Sequence, residues 1–165
     1  MSLPKIGNLA PLFTLQNQDG EPIALKDFRG KKNVVVYFYP KAKTPGCTVQ
    51  ACGIRDASRE FAKRDTVVLG ISPDSVAKLK KFQQEPKKDD SAPLDFDLLS
   101  DEDHAIADKY GVWAMKKFMG RESMGIIRTT FIIDKDGCLQ AILDLNDFKT
   151  KNHHEVVLGK LDTLL

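Results

Sequence analysis

Two short apolar runs, NVVVYFY at 33–39 and TVVLGIS at 66–72, constrain the fold more than anything else in this 165-residue chain. Neither alternates apolar with polar residues, as a strand with one wet face does. Continuous β-branched and aromatic runs of this kind read as strands covered on both faces. Between them, residues 47–64 suit a helix, because Ile54, Ala57 and Phe61 recur three and four apart. Arg55, Asp56, Arg59, Glu60 and Lys63 are left for its other face. After the second run, SPDSVAKLKKFQQ predicts a helix with Ser72 as N-cap and Pro73 in its first turn.

The flanking segments extend the same alternation. FTLQNQDGEPIAL suggests a hairpin around Asp19-Gly20, and LDFDLLSD a third strand. DEDHAIADKYG predicts a short helix stopped by Gly111. RTTFIID and CLQAILD form a strand pair across Lys135-Asp136-Gly137, and KNHHEVVLGKLDTLL a last helix with Asn152 at its cap. The polar, proline-containing stretch EPKKDDSAP reads as a surface loop. The whole, residues 1–165, is expected to be one three-layer α/β domain. The pattern is compatible with a thioredoxin-like architecture and equally with a flavodoxin-like sheet.

Composition narrows the function classes. A net charge of +2, with no block of like charge, argues against a nucleic-acid partner. The N-terminal MSLPKIGNLAPLF lacks the features of a signal peptide, and no run reaches membrane-spanning length, so a cytoplasmic protein is expected. There thiols stay reduced, and three cysteines, an odd number, fit a disulfide framework poorly.

Chemistry concentrates in YFYPKAKTPGCTVQACGIRD, residues 37–56. Cys47 follows a buried strand and opens the expected helix, where unpaired N–H groups and the dipole favour a thiolate. A small buried hydrophobe is the alternative, and position alone leaves both open. The C-x-x-x-x-C spacing to Cys52 is too wide for the usual zinc pair, and further ligands are lacking nearby. Five residues of helix separate Cα atoms by about 8.6 Å, whereas a disulfide tolerates at most about 7 Å. Thr44 lies three residues before Cys47, close enough for its hydroxyl to meet the sulfur. His153 and His154 point about 100° apart on a helix and do not chelate; a capped, solvated helix start is expected there. Trp113, Met115, Phe118 and Met119 fit a pocket cover, a partner surface or ordinary core packing.

The pattern P-x-x-x-T-x-x-C, here Pro40, Thr44 and Cys47, resembles the active-site signature of the peroxiredoxins. The wider run 37–56 is similar to the bacterioferritin comigratory protein, or peroxiredoxin Q, subgroup. The resemblance continues through LSDEDHAIADKYGVW, GIIRTTFIID and DFKTKNHHEVV. It implies a thioredoxin-like fold with a central mixed sheet flanked by helices and an N-terminal hairpin extension. It further implies a thiol peroxidase reducing hydrogen peroxide and organic hydroperoxides. Cys47 matches the peroxidatic cysteine, Thr44 the hydroxyl bridging thiolate and peroxide, Pro40 the shielding proline, and Arg128 the arginine that holds the thiolate. Cys52 matches the resolving cysteine, with thioredoxin as reductant and monomer or weak dimer as the assembly. No cofactor or metal is implied. Two features depart from the family pattern, the proline-rich stretch 83–94 and Cys138, an incidental strand cysteine or a backup resolving thiol. A thioredoxin-type reductase and a non-enzymatic redox sensor are the competing readings.

If both cysteines share one helix, forming a Cys47–Cys52 bond must unwind its first turns. Far-UV circular dichroism should show helicity lost on oxidation; unchanged helicity with a verified Cys47–Cys52 bond would refute this.

Overall fold

The computed structural model describes residues 2–87 and 92–165; the centre of the expected 83–94 loop lies outside that range. The chain opens with strands β1 (Thr14–Asn17) and β2 (Pro22–Ala24), then β3 (Asn33–Phe38) and helix α1 (Pro45–Asp56). Helix α2 (Ser58–Lys63), strand β4 (Thr66–Ser72), helix α3 (Val76–Gln84) and strand β5 (Asp97–Ser100) follow. Then come α4 (Ala105–Lys109), β6 (Trp113–Phe118), β7 (Arg121–Ile126), β8 (Thr129–Ile133), β9 (Leu139–Leu143) and α5 (His153–Leu164).

The larger sheet among the described residues has seven strands in the order β2-β1-β5-β4-β3-β8-β9. β3, β4 and β5 run parallel, and the N-terminal hairpin and the β8–β9 pair extend the two edges antiparallel. The mixed sheet and its N-terminal extension match the expectation from the sequence. The first hairpin turns where Asn17 Oδ1 accepts from the N–H groups of Asp19 and Glu21, at 2.9 and 3.0 Å.

Every residue of β3 is buried, as its unbroken apolar run requires. Val35, Tyr37 and the following Tyr39 face one core with Ile54, Phe61, Leu79 and Val157, from α1, α2, α3 and α5. Val34, Val36 and Phe38 face the other with Phe13, Leu25, Ile106, Tyr110 and Phe131. Each such side chain contributes about 1.5–3 kcal/mol on leaving water, so the central strand anchors both layers.

Four expectations are corrected. The helix foreseen over 47–64 breaks at Ala57 (φ −98°, ψ 11°), where α1 ends and α2 begins. No proline or glycine marks the break; Ala57 O instead accepts from Glu60 and Phe61 N–H, starting a new ladder. Ser72 does not cap α3 and Pro73 is not in its first turn: Ser72 ends β4 with its Oγ donating to Asp74 Oδ2 at 2.8 Å, and the helix starts only at Val76. Ser75 takes the role, its Oγ accepting from Lys78 N–H at 3.3 Å. The β6–β7 hairpin was not foreseen; its strands turn at Met119 and Gly120, both at positive φ.

The fourth correction is His153, which is buried rather than solvated, at 1% exposure. Asn152 does occupy the N-cap position of α5, but its Oδ1 accepts from Lys149 N–H rather than from the helix. The His153 ring packs on Phe148 and Tyr37, and its Nε2 pairs with Thr130 Oγ1 at 2.8 Å. Burial, reinforced by His154 and Arg128, pushes its pKa from 6.5 down to about 3.

Between these two values the unfolded chain binds a proton that the native state refuses. Native stability therefore falls as pH drops below about 6.5, by up to ~1.4 kcal/mol per pH unit. Urea unfolding from pH 7 to pH 4.5 should show this slope, and His153→Gln should flatten it. An unchanged slope in the variant would count against the assignment.

Candidate active site

Strand β3 delivers the chain to Pro40, and the loop after it is held from across the sheet end. Asp74, only 7% exposed, accepts from Ala42 N–H at 2.7 Å and from Ser72 Oγ at 2.8 Å. Lys43 adopts φ +63°, a left-handed conformation uncommon for a side chain of its size. The chain then enters α1 with Thr44 as N-cap and Pro45 at the first helical position, where a missing N–H costs nothing. Cys47 thus sits in the first turn of α1, as expected.

Thr44 does not spend its side chain on the cap. Its hydroxyl donates to Lys41 O at 2.8 Å, while its carbonyl accepts from Thr48 N–H. In this state Thr44 therefore faces back along the loop, with its hydroxyl engaged away from the sulfur.

Arg128 immediately precedes β8. The β3–β8 register pairs Phe38 with Thr129, so one more step along both strands sets Arg128 beside Tyr39 and the start of α1. Its Nη2 donates to Cys47 Sγ at 3.3 Å and its Nη1 to Gln50 Oε1 at 2.6 Å. Gln50 is fully buried and lies three residues beyond Cys47, on the same face of the helix. One guanidinium thus grips two successive turns of α1 through a forked pair of donors.

The sulfur is itself buried, at 1% exposure, inside the core layer that contains Tyr37 and Tyr39. Burial chiefly pushes both phenols well above their ordinary pKa, so they stay neutral beside the thiol. The sulfur thus meets one fixed cation, Arg128, between neutral aromatic walls. Lys116, on β6, also feels Cys47; burial and then Arg128 push its ammonium down in pKa, whereas Cys47 raises it.

Pro40 lines a groove of about 410 Å³ together with Pro73, Trp113, Lys116, Met124 and Ile126. Trp113 stacks flat on His104, with centroids 3.9 Å apart. Met115 and Met119 are exposed and therefore not core residues, and the Phe118 side chain lies outside the described structure. Among the described residues, a cavity of about 450 Å³ between α1, α2 and β4 is lined by no cysteine and no cation.

Cys52 lies on α1 with Cys47 and is also buried, and no disulfide forms among the described residues. Cys138 lies past the far end of β8, where its N–H donates to Asp134 Oδ1. The five residues of β8 span about 17 Å at ~3.4 Å each. The structure therefore sets Cys138 apart from Cys47, against a backup resolving role within one chain. Gln50, Asp74 and Lys116 escaped the sequence reading. Only Gln50 carried a signal, its three-residue offset from Cys47 on an expected helix.

Comparison with known proteins agrees with this geometry. Residues 6–142 match the AhpC/TSA family. The chain is 52% identical over 157 residues to the peroxiredoxin Bcp of Escherichia coli K12, covering 95% of each chain. The peroxidoxin BcpB of Mycobacterium tuberculosis superposes with a TM-score of 0.82 at 34% identity, over 98% of both chains. A Xanthomonas campestris bacterioferritin comigratory protein, described for its alkyl peroxide reduction activity, superposes at 0.81 with 29% identity, over 92% of this chain and 90% of that one. On these matches the chain belongs to the AhpC/TSA family and, within it, to the peroxiredoxins, a family of thiol peroxidases.

Proposed function

We propose that this peroxiredoxin reduces hydrogen peroxide and organic hydroperoxides at Cys47, with Cys52 as resolving thiol and thioredoxin as reductant. The observation that carries this reading is the 3.3 Å contact from Arg128 Nη2 to Cys47 Sγ in the first turn of α1. The Cys47 thiolate attacks one peroxide oxygen. An S–O bond forms as the O–O bond breaks, and the other oxygen takes a proton to leave as water or an alcohol. Negative charge moves from sulfur to the leaving oxygen, within reach of the same guanidinium. Thr44 aligns the peroxide after its hydroxyl turns away from Lys41 O, and Pro40 shields the pocket wall.

The Cys52 sulfur then attacks the Cys47 sulfenic acid, forming an S–S bond and releasing water. Both residues belong to one continuous helix, and the ~8.6 Å Cα separation of that geometry exceeds the disulfide limit of about 7 Å. Resolution therefore requires α1 to open. Thioredoxin returns the disulfide to two thiols by exchange. The alkyl peroxide reduction described for the Xanthomonas campestris relative supports the substrate class. We read residues 1–165 as one domain, because both cores share a single sheet. A cytoplasmic monomer or weak dimer is the assembly we favour; among the described residues no helix is long and apolar enough to cross a membrane.

Mass spectrometry after one equivalent of peroxide should show a Cys47–Cys52 bond. Cys47→Ser should consume no peroxide, and Cys52→Ser should accumulate sulfenic acid and lose thioredoxin-supported turnover. Arg128→Met should slow the peroxide step by about 10²–10³, the range for losing one preorganised donor. Peroxide consumption that leaves Cys47 unmodified would overturn the reading.

A further inference from the structure

One peptide unit in the loop after β3 is held on both edges by side chains. Its N–H, that of Ala42, donates to Asp74 Oδ2 at 2.7 Å, and its C=O, that of Lys41, accepts from Thr44 Oγ1 at 2.8 Å. A peptide unit is planar and stiff, so the side chain that fixes its N–H also aims its carbonyl. Asp74 and the Thr44 hydroxyl are thus joined through one rigid plane. Lys43, at φ +63°, turns the chain between them, and Thr44 reaches back three residues to close the turn.

Asp74 is itself tied to two strands. Its Oδ2 also accepts from Ser72 Oγ, at the end of β4, at 2.8 Å. Its backbone carbonyl accepts from Ser100 Oγ, at the end of β5, at 2.6 Å. Asp74 and Ser72 are both buried. An unbroken series of bonds therefore runs from the sheet to Asp74, to the 41–42 peptide and on to Thr44, and bonds in series reinforce one another. The sulfur is held separately, by Arg128 Nη2.

Two side-chain bonds hold the 41–44 turn, and they do not share one fate. The Thr44 bond to Lys41 O is given up when the hydroxyl turns to the peroxide, which leaves the Asp74 bond to Ala42 N–H to hold the turn. We propose that Asp74 is a positioning residue for Thr44, keeping the turn in place through the 41–42 peptide while the hydroxyl engages substrate. The proposal rests on the reading of Thr44 as the residue that aligns the peroxide. The tie from Asp74 to the turn concerns the loop alone. A purely structural alternative also exists, in which Asp74 only joins the loop to β4 and β5.

A double-mutant cycle read by stopped-flow reaction with hydrogen peroxide separates the two, beside iodoacetamide alkylation of Cys47, which needs the sulfur but not Thr44. Asp74→Ala should slow the peroxide step by about 10–10², as a misplacement of roughly 1 Å does, and leave alkylation unchanged. Asp74→Asn keeps an acceptor for Ala42 N–H and should restore most of the rate. In Thr44→Val, which has no hydroxyl to position, adding Asp74→Ala should bring no further loss, because residues that act through one another are not additive. Additive loss in that background, equal slowing of both reactions, no rescue by Asp74→Asn, or wild-type kinetics in Asp74→Ala would each overturn the proposal. Should Asp74→Ala not fold, Ser72→Ala decides: a smaller slowing that vanishes in Thr44→Val supports it, and any other result overturns it. If the wild-type protein consumes no peroxide, the peroxidase reading falls and the Ala42 amide tests the tie. Faster hydrogen exchange there in Asp74→Ala, with mixed Thr44 rotamers by NMR, supports it; unchanged exchange and a single rotamer overturn it.

Discussion

The Arg128 guanidinium lies against the Cys47 sulfur because two backbone structures meet at one end of the sheet. β3 feeds the loop that becomes α1, and β8, hydrogen-bonded to β3 in antiparallel register, begins beside that loop's origin. A slip of one residue in the β3–β8 pairing would send every β8 side chain to the opposite face. Arg128 would then leave α1, and the 3.3 Å donor on Cys47 and the 2.6 Å donor on Gln50 would be lost together. The buried apolar faces of both strands enforce that register, so the core that stabilises the fold also sets the aim of the cation.

Much of this was legible in the sequence, for identifiable reasons. β3 and β4 announced themselves because a strand covered on both faces has no polar positions to hide its run. Cys47 could be placed at a helix start because it follows a buried strand and heads the periodic run through Ile54, Ala57 and Phe61. Arg128 was different. Before β8 it reads as an ordinary solvated charge, and only resemblance to the peroxiredoxins singled it out, since its partner is 81 residues away. Asp74 was invisible for the same reason, as it holds a loop 32 residues away. The break at Ala57 left no mark, because alanine favours helix and Ile54, Ala57 and Phe61 keep the spacing of an unbroken one. His153 misled because a polar residue at a helix start is ordinarily wet, whereas here Thr130, Phe148 and Tyr37 enclose it.

The chemical environment of the sulfur combines burial with positive charge. In a low-dielectric setting charges act more strongly than they do in water. The tyrosines around Cys47 offer bulk without charge, since burial keeps their protons on. Gln50 gives Arg128 a neutral acceptor where a carboxylate would have cancelled part of the guanidinium's field. The positive potential is thus left to act on the sulfur and on whatever oxygen approaches it.

The interruption at Ala57 divides the 47–64 segment into two cooperative units. α2 has its own carbonyl acceptor in Ala57, its own core anchor in Phe61, and a paired contact from the adjoining Arg64 to Asp162 on α5. An opening that starts at the first turn of α1 therefore meets a boundary before it reaches those contacts. Because most of α1 is buried, its opening is a local unfolding event, on a scale of microseconds to seconds. A helix bounded in this way has room to unravel and re-form over its own length alone, while the sheet beneath it keeps its shape.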